Sequence, residues 1–374
     1  ESMRQMEEKF NETVCADTLR LLSGNQKLKE VPHCDTLNYY LELLSPDCLS
    51  ELRKKMVTSL IRGKQFYSNR LLGKYWRVIL DGTGVACFEE RHCDNCLYEK
   101  RTYKDGRKVT VYYHKVLEAK LILGDKIVVS LGTEFIENER SDVSKQDCET
   151  KAAKRLLERI KKEYPRLPIC IQGDAMYATE PMMEICRLNG WKYIFSHKEA
   201  QQRVLADNYN LLSLEDGKQK VQGIGAEKGT AIYCNGIGKM AGKTEIMNVY
   251  EYTCKKIIKK QEKTVHFQWI TDIELTRRNL EEMVRAGRGR WKIENEGFNN
   301  QKNGIYHIQH LNSRNSNAMK NHYLLTQIAD ILMQLYLAWN PIIKEIKQSI
   351  KNTSSRLLES FRRQPVTDED VHYI

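Results

Sequence analysis

The sequence predicts an α/β protein in which helices flank a mixed sheet, with a helical segment before the sheet and a β-rich insertion within it. Strand-like and helix-like runs follow one another in the order β-β-β-α-β-α-β between residues 75 and 198. Residues 1–74 have helical spacing, whereas residues 199–271 are polar, rich in glycine and alternating in character. A chain of 374 residues has room for two or three domains of this kind.

Two helices are predicted in the N-terminal segment. Residues 35–44 have helical spacing with Asp35 as the N-cap, and Pro46 separates them from a second amphipathic helix over 48–62. The pair resembles a helix-turn-helix, which would make residues 1–74 a DNA-binding domain. A small helical packing domain explains the same pattern, because nothing marks a recognition helix.

The first part of the core is predicted over residues 75–198. It opens with a strand over 76–84 that ends in Asp81 and glycines. This strand is followed by a hairpin with a Gly124-Asp125 turn and by a helix capped by Ser144. A short strand ending in Asp174, a second helix and a last strand come after them. These elements are predicted at 110–123, 126–131, 145–162, 168–174, 180–188 and 191–196.

The insertion and the C-terminal part complete the chain. Strand candidates in the insertion lie at 230–234, 245–253 and 265–270. Helical spacing returns over 274–302, and an apolar stripe marks a helix over 318–339, so residues 272–340 are predicted to complete the core. The basic residues 341–374 predict a helical tail.

Charge and cysteine content narrow the class of protein. The chain carries 60 Lys and Arg against 49 Asp and Glu, a net charge of +11, which favours a polyanionic partner such as nucleic acid. Neither a long apolar run nor a charged-then-apolar leader is present, so we expect a cytoplasmic protein with no membrane partner. In that reducing compartment most of the 11 cysteines are expected to be free thiols or metal ligands.

Three acids suggest the chemistry. Asp81 and Asp174 each lie at the C-terminal end of a predicted strand, and sites of open α/β sheets form at those strand ends. Two carboxylates brought together there repel each other unless a cation lies between them, and Mg²⁺ prefers such oxygen ligands. The late helix offers Glu294 or Glu296 as a third acid. Two metal ions held in this way activate a nucleophile and stabilise a leaving oxygen in phosphodiester cleavage.

The same residues resemble a known family. Asp81-Gly-Thr-Gly, Gly173-Asp174-Ala-Met-Tyr and Arg290-Trp-Lys-Ile-Glu294 are similar to bacterial insertion-sequence transposases of the DDE type, in the branch called insertion-sequence family four. The resemblance covers residues 75–340. It implies a ribonuclease-H-like core with a β-strand insertion before the glutamate. It further implies that Asp81, Asp174 and Glu294 bind two Mg²⁺ or Mn²⁺ ions, and that Arg290 belongs to the family's tyrosine-arginine-glutamate-lysine signature.

Two positions depart from that signature. Gly287 stands where the tyrosine is expected, and Gln301 stands where the lysine is expected, with Lys302 one residue further. On an α-helix this shift turns the side chain off the face of the glutamate. Lys302, Tyr306 or His307 could make the missing contacts to DNA phosphates.

A second group of residues has metal-ligand character. Cys93-Asp-Asn-Cys96 has zinc-knuckle spacing, and His92 precedes it directly. His114 or Cys148 could complete a tetrahedral Zn²⁺ site with His92, Cys93 and Cys96. Buried free thiols explain the same residues without a metal.

The resemblance implies a DNA transposase that cuts element ends and transfers the 3′-OH into target DNA. Its partners would be double-stranded terminal inverted repeats, target DNA and a second copy of the chain in a synaptic complex near the bacterial nucleoid. The branch resolves donor DNA through a hairpin, for which Trp269 could stack a flipped base. Arg290, Lys302 and the basic clusters 255–263, 285–292 and 314–320 would contact phosphates. A ribonuclease-H-like DNA nuclease and a non-catalytic DNA-binding regulator are the alternatives.

Overall fold

The computed structural model describes residues 10–372, apart from 201, 216, 239–245, 259–260, 311 and 347. The chain divides into two compact units. One contains the chain up to Glu51 together with Asn299 and the residues after it, and the other contains Leu52–Phe298. This division into two units does not test the domain boundaries predicted from the sequence, which remain predictions.

The described residues form helices and strands in the following order. The helices are α1 (Thr13–Ser23), α2 (Cys34–Leu43), α3 (Pro46–Arg62), α4 (Glu149–Glu163), α5 (Glu180–Leu188), α6 (Arg203–Leu211), α7 (Leu280–Arg288), α8 (Asn300–Asn303), α9 (Ser316–Trp339), α10 (Pro341–Ile346), α11 (Ile350–Arg363) and α12 (Asp368–His372). The strands are β1 (Trp76–Phe88), β2 (Leu97–Thr102), β3 (Lys108–Ile122), β4 (Val128–Ile136), β5 (Ile169–Gly173), β6 (Lys192–Ser196), β7 (Gln219–Ile224), β8 (Gly229–Gly238), β9 (Ile246–Ile258) and β10 (Gln261–Thr271).

The strands of the larger unit join into one mixed sheet. Their order is β2-β3-β1-β5-β6-β10-β9-β8-β7, with β4 also paired to β3. β1, β5 and β6 are parallel, whereas β1, β3 and β4 form an antiparallel meander. The row β4-β3-β1-β5-β6 confirms the predicted α/β class and has the ribonuclease-H-like arrangement. The strands of the insertion extend this sheet, because β10 pairs antiparallel with β6.

Both faces of the central strands are covered. On one face α4 packs so closely on β4 that a Cβ at Gly132 would lie 2.9 Å from Leu156 Cδ1. On the other face Ile293 and Phe298 form one buried cluster with Ile79 and Ile122. Burial on two sides explains why β1, β3 and β5 are apolar over several consecutive residues rather than alternating.

Three predicted boundaries were wrong. β1 continues past Asp81 to Phe88, because pairing with β3 goes on after pairing with β5 has stopped at Ile79. The helix predicted over 274–302 is broken: α7 ends at Arg288, and a 3₁₀ turn (Gly289–Trp291) and a π-helix (Ile293–Asn299) follow. α4 begins at Glu149, with Cys148 rather than Ser144 at the N-cap position.

Three elements were absent from the prediction, and one predicted boundary lies outside the described residues. The missed elements are β2, α6 and β7, which have few apolar residues in a regular pattern, so periodicity did not mark them. The predicted strands of the insertion correspond to β8, β9 and β10. Residue 245, where the second of them was predicted to begin, is outside the described part of the chain.

The smaller unit is helical where it is described. α2 and α3 confirm the two predicted helices, although the His33 ring rather than Asp35 caps α2 by accepting the Asp35 N–H. α9 confirms the helix predicted over 318–339, and Asn321 joins it to α2 by donating to the Leu41 and Leu44 carbonyls at 2.8 and 2.7 Å. None of the described helices is long and apolar enough to cross a membrane.

Candidate active site

The two predicted catalytic aspartates occupy matching positions on neighbouring parallel strands. The last residue pair between β1 and β5 is Ile79 with Gln172, and Asp81 and Asp174 each lie two residues further along. Because side chains alternate along a strand, both aspartates leave the sheet on the face that carries Ile79 and Gln172. Adjacent strands are about 4.8 Å apart, so the two carboxylates lie close together at this edge of the sheet.

Local hydrogen bonds orient both carboxylates. Asp81 Oδ1 accepts the Gly82 N–H at 3.0 Å, and Asp174 Oδ1 accepts the Met176 N–H at 2.9 Å in the turn after β5. Asp81 and Asp174 are both half-buried. Each aspartate therefore has one oxygen engaged with the backbone at the sheet edge.

The electrostatic surroundings of Asp81 favour a bound cation. Burial raises the pKa of Asp81 to about 6; the Arg290 charge and the Gly82 N–H lower it, while the Glu149 and Asp174 carboxylates raise it further. A divalent cation at this edge would offset both burial and carboxylate repulsion. The donor set of carboxylate oxygens fits Mg²⁺ or Mn²⁺.

Arg290 lies beside Asp81. Its Nη1 is 4.0 Å from Asp81 Oδ2, and its guanidinium carbon is 5.5 Å from the centre of the Trp291 ring. Arg290 belongs to the 3₁₀ turn after α7. The guanidinium is therefore close to Asp81 but beyond hydrogen-bond distance of it.

The segment with the third acid covers the same face of the sheet. Ile293 and Phe298 pack on Ile79, which shares its face with Asp81. Glu294 is exposed and Glu296 is half-buried in this segment. Because the segment is a π-helix, the α-helical angles used above to place Lys302 off the face of Glu294 do not apply here.

Sequence reasoning missed a polar network on the opposite face of β1. Glu149, the first residue of α4, is buried and accepts from Lys115 Nζ and from the Tyr177 hydroxyl. A Cβ on Gly82 would overlap the Glu149 carboxylate, and a Cβ on Gly173 would lie 2.6 Å from Tyr177 Cδ2. The glycine beside each aspartate is the signal that could have indicated this network.

The structure explains one departure from the family signature and corrects the role predicted for Trp269. Trp269 is only 3% exposed and stacks on Tyr250 and Phe267, with ring centres 5.0 and 5.7 Å apart. A Cβ on Gly287 would lie 2.6 Å from Trp269 Cε2. The indole therefore fills the space beside the tyrosine position and presents no face to a flipped base.

The lysine position of the signature is part of a buried network in the smaller unit. Gln301 is fully buried, donates to Asp330 Oδ2 at 2.7 Å and exchanges hydrogen bonds with Gln327. Lys302 is half-buried in α8, and its contact with DNA stays a prediction.

The predicted cysteine and histidine ligands come together away from the aspartates. Cys93, Cys96 and His114 lie in contact, and His92 is beside them. Cys148 is exposed, and its Sγ is 3.3 Å from the Thr150 hydroxyl. His114 pairs with Ala86, five residues beyond Asp81 on β1, which is about 17 Å along the strand.

Ion pairs engage part of the predicted basic clusters. Arg288 forms a bidentate pair with Glu227, at 2.9 and 2.6 Å, and Lys255 pairs with Glu262 at 2.9 Å. Lys259 and Lys260 lie outside the described residues. Phosphate binding by these clusters stays a prediction.

Comparison with known proteins gives the family. A protein-family model for the transposase DDE domain matches residues 72–329. Comparison with curated proteins gives no match. Among solved structures, the chain aligns with a piggyBac transposase in a cryo-EM structure of its synaptic complex with hairpin DNA. The TM-score is 0.42 and the identity 10%, over 99% of this chain and 82% of that chain. Since the family model matches more than half of the chain, the chain belongs to the transposase DDE domain family and is a DNA transposase, a polynucleotidyl transferase.

Proposed function

We propose that Asp81, Asp174 and Glu294 are the catalytic acids with which this transposase cuts phosphodiester bonds at element ends. The observation that carries the proposal is the matching position of Asp81 and Asp174 on adjacent parallel strands. The segment that contains Glu294 packs over the same face through Ile293. Glu296, in the same segment, is the alternative third acid.

The three carboxylates would hold two Mg²⁺ or Mn²⁺ ions. The raised pKa of Asp81, caused by burial and opposed by Arg290, supports this assignment, because a bound cation would offset the cost of burying this carboxylate beside other carboxylates. When bound, such ions supply Lewis-acid activation of the attacking hydroxyl group and stabilise the leaving 3′ oxygen.

The side chains of this chain position the DNA. Arg290 would exchange its distant contact with Asp81 for a bidentate grip on a phosphate oxygen pair, which suits the planar guanidinium. On the other face of the strands, the network of Lys115, Glu149 and Tyr177 packs against Gly82 and Gly173. This packing holds the backbone beside the two aspartates. Lys302 and the basic clusters would contact the phosphate backbone outside the cleavage point.

We further assign the transposase to the branch called insertion-sequence family four, and its location to the bacterial cytoplasm. Its support is the position of β7–β10 between Asp174 and Glu294, where that branch is expected to carry its β-strand insertion. On this assignment a homodimer synapses two terminal inverted repeats and transfers each 3′-OH into target DNA. Residues 1–74 would bind the element ends. For a hairpin step, exposed Trp291 beside Arg290 is a better stacking candidate than buried Trp269.

End cleavage on a labelled element-end duplex with Mg²⁺ tests the proposal. Asp81→Asn and Asp174→Asn should abolish cleavage but leave end binding intact, because a neutral amide cannot hold the ion. Asp142→Asn is the matched control, since that side chain is 74% exposed in a surface pair. Glu294→Gln and Glu296→Gln identify the third acid.

Wild-type cleavage rates in both aspartate variants would overturn the assignment. Joined products distinguish a transposase from a nuclease, because a nuclease cuts branched DNA without joining ends.

A further inference from the structure

A compact group of four metal-ligand side chains lies at the base of the β2–β3 hairpin. The Sγ atoms of Cys93 and Cys96 are 3.7 Å apart, and His114 Nε2 is 3.4 Å from each of them. A ring nitrogen of His92 lies within 4.8 Å of both Cys93 Sγ and the His114 ligand atom. Three of these side chains come from one short connection, whereas His114 comes from β3.

We propose that Cys93, Cys96, His114 and His92 bind one structural Zn²⁺. Zinc bonds of about 2.3 Å to sulfur and about 2.0–2.1 Å to nitrogen give a tetrahedron with edges of about 3.8 Å between sulfurs and about 3.5 Å from sulfur to nitrogen. The observed 3.7 and 3.4 Å match those edges within the tolerance expected of a metal site. Two thiolates with two imidazoles select zinc over harder cations.

The surroundings of the group fit a structural site. Cys96 is 0% and His114 4% exposed, so solvent has little access to the centre. The Cys93 N–H donates to Cys96 Sγ at 3.3 Å, which supports a charged sulfur. The His92 ring stacks on Phe88 with centres 4.6 Å apart, and this contact holds it beside Cys93 and His114. Four protein ligands leave no open position for catalysis.

The geometry opposes a disulfide as the explanation. A disulfide requires sulfurs about 2.05 Å apart, much closer than the 3.7 Å between Cys93 and Cys96. The zinc ion would instead tie the connection after β1 to β3. That tie fixes the base of a hairpin whose tip is exposed and basic, with Lys100, Arg101, Lys104, Arg107 and Lys108.

Metal analysis of the purified full-length protein tests the proposal. We expect one zinc ion per chain, and replacement by Co²⁺ should give the intense visible absorption of tetrahedral thiolate coordination. Cys93→Ser and His114→Gln should lower the zinc content to well below half an ion per chain. Cys87→Ser and Cys148→Ser are matched controls, because both thiols are exposed and outside the group, and should keep one ion.

A thiol titration of the wild-type protein covers the case in which a ligand variant does not fold. A zinc chelator should make two further thiols reactive toward a chromogenic thiol reagent, beyond the exposed Cys48, Cys87 and Cys148. Zinc far below one ion per chain in the wild-type protein, or a Cys93–Cys96 disulfide found by mass spectrometry, would overturn the proposal. Unchanged zinc in Cys93→Ser would also overturn it.

Discussion

At the scale of single residues, the site depends on glycines that leave room for larger neighbours. Gly82 and Gly173 stand beside the two aspartates and make space for Glu149 and Tyr177 on the opposite face of the strands. Gly287 does the same for Trp269. In each case the missing Cβ allows a buried ring or carboxylate to contact backbone, so these positions tolerate little change in volume.

Replacing Gly287 by alanine should destabilise the protein although it removes a glycine from a helix. Alanine normally stabilises a helix interior by about 0.5–1 kcal/mol relative to glycine. Here the added methyl group overlaps the buried Trp269 ring, and such overpacking costs about 1–3 kcal/mol. We therefore expect a net loss in the free energy of unfolding, measured by urea titration.

Gly84→Ala is the matched control, because a Cβ there would meet no atom within 4 Å. A Gly287→Ala protein as stable as the wild type would contradict the packing explanation for the missing signature tyrosine. Introducing that tyrosine should be more harmful than introducing alanine.

Arg290→Lys should slow cleavage without unfolding the protein. The ammonium group cannot reproduce a bidentate grip, and losing one charged hydrogen bond costs roughly 1–3 kcal/mol, or roughly 5- to 150-fold in rate. Arg140→Lys, at a 75% exposed position, is the control. Cleavage is followed on denaturing gels and folding by thermal melting. Normal cleavage with early melting would instead assign Arg290 to a stabilising pair with Asp81.

At the scale of elements, an ion pair connects the insertion to the helix that leads into the site. Glu227 lies in the turn between β7 and β8, and Arg288 is the last residue of α7, two residues before Arg290. The Arg288 guanidinium also lies 5.6 Å from the Tyr252 ring centre and 5.8 Å from that of Phe267. The end of α7 is thereby fixed against the β7–β8 turn and the strands β9 and β10.

This pair predicts a pH dependence of stability. Hydrogen bonds from Arg288 lower the pKa of Glu227 to about 2 from its ordinary value of 4.5. A lowered pKa means that the stabilisation is complete above about 4.5 and disappears as the pH falls toward 2. The stability difference between wild type and Glu227→Gln should therefore be largest at neutral pH and shrink over that window. We expect at most about 1 kcal/mol, because both side chains are partly exposed.

Glu262→Gln is the control for this measurement, since Glu262 is 63% exposed in its pair with Lys255. Urea titrations of the three proteins between pH 7 and the lowest pH at which they remain folded give the comparison. A Glu227→Gln difference that is constant with pH would contradict the assignment.

At the scale of the whole molecule, local patterns predicted the fold better than they predicted the site. Strand and helix periodicity located most of the sheet, and predicted strand ends indicated Asp81 and Asp174, although β1 continues past Asp81 to Phe88. The Glu149 network escaped prediction because it depends on packing between α4 and β1, which are far apart in sequence. The π-helix, in which Ile293 and Phe298 pack on Ile79, was not indicated by the helical spacing of the sequence. The fully buried Gln301 carries no local signal that distinguishes it from a surface amide.

The most direct test of the catalytic assignment is Mn²⁺ binding to the purified protein, measured by titration calorimetry in the absence of DNA. The account predicts binding to the wild type that weakens at least tenfold in both Asp81→Asn and Asp174→Asn, because each variant removes a charged oxygen ligand. Asp142→Asn should bind like the wild type. Equal Mn²⁺ affinity in the wild type and both aspartate variants would contradict the claim that these two strand positions form the metal site of the transposase.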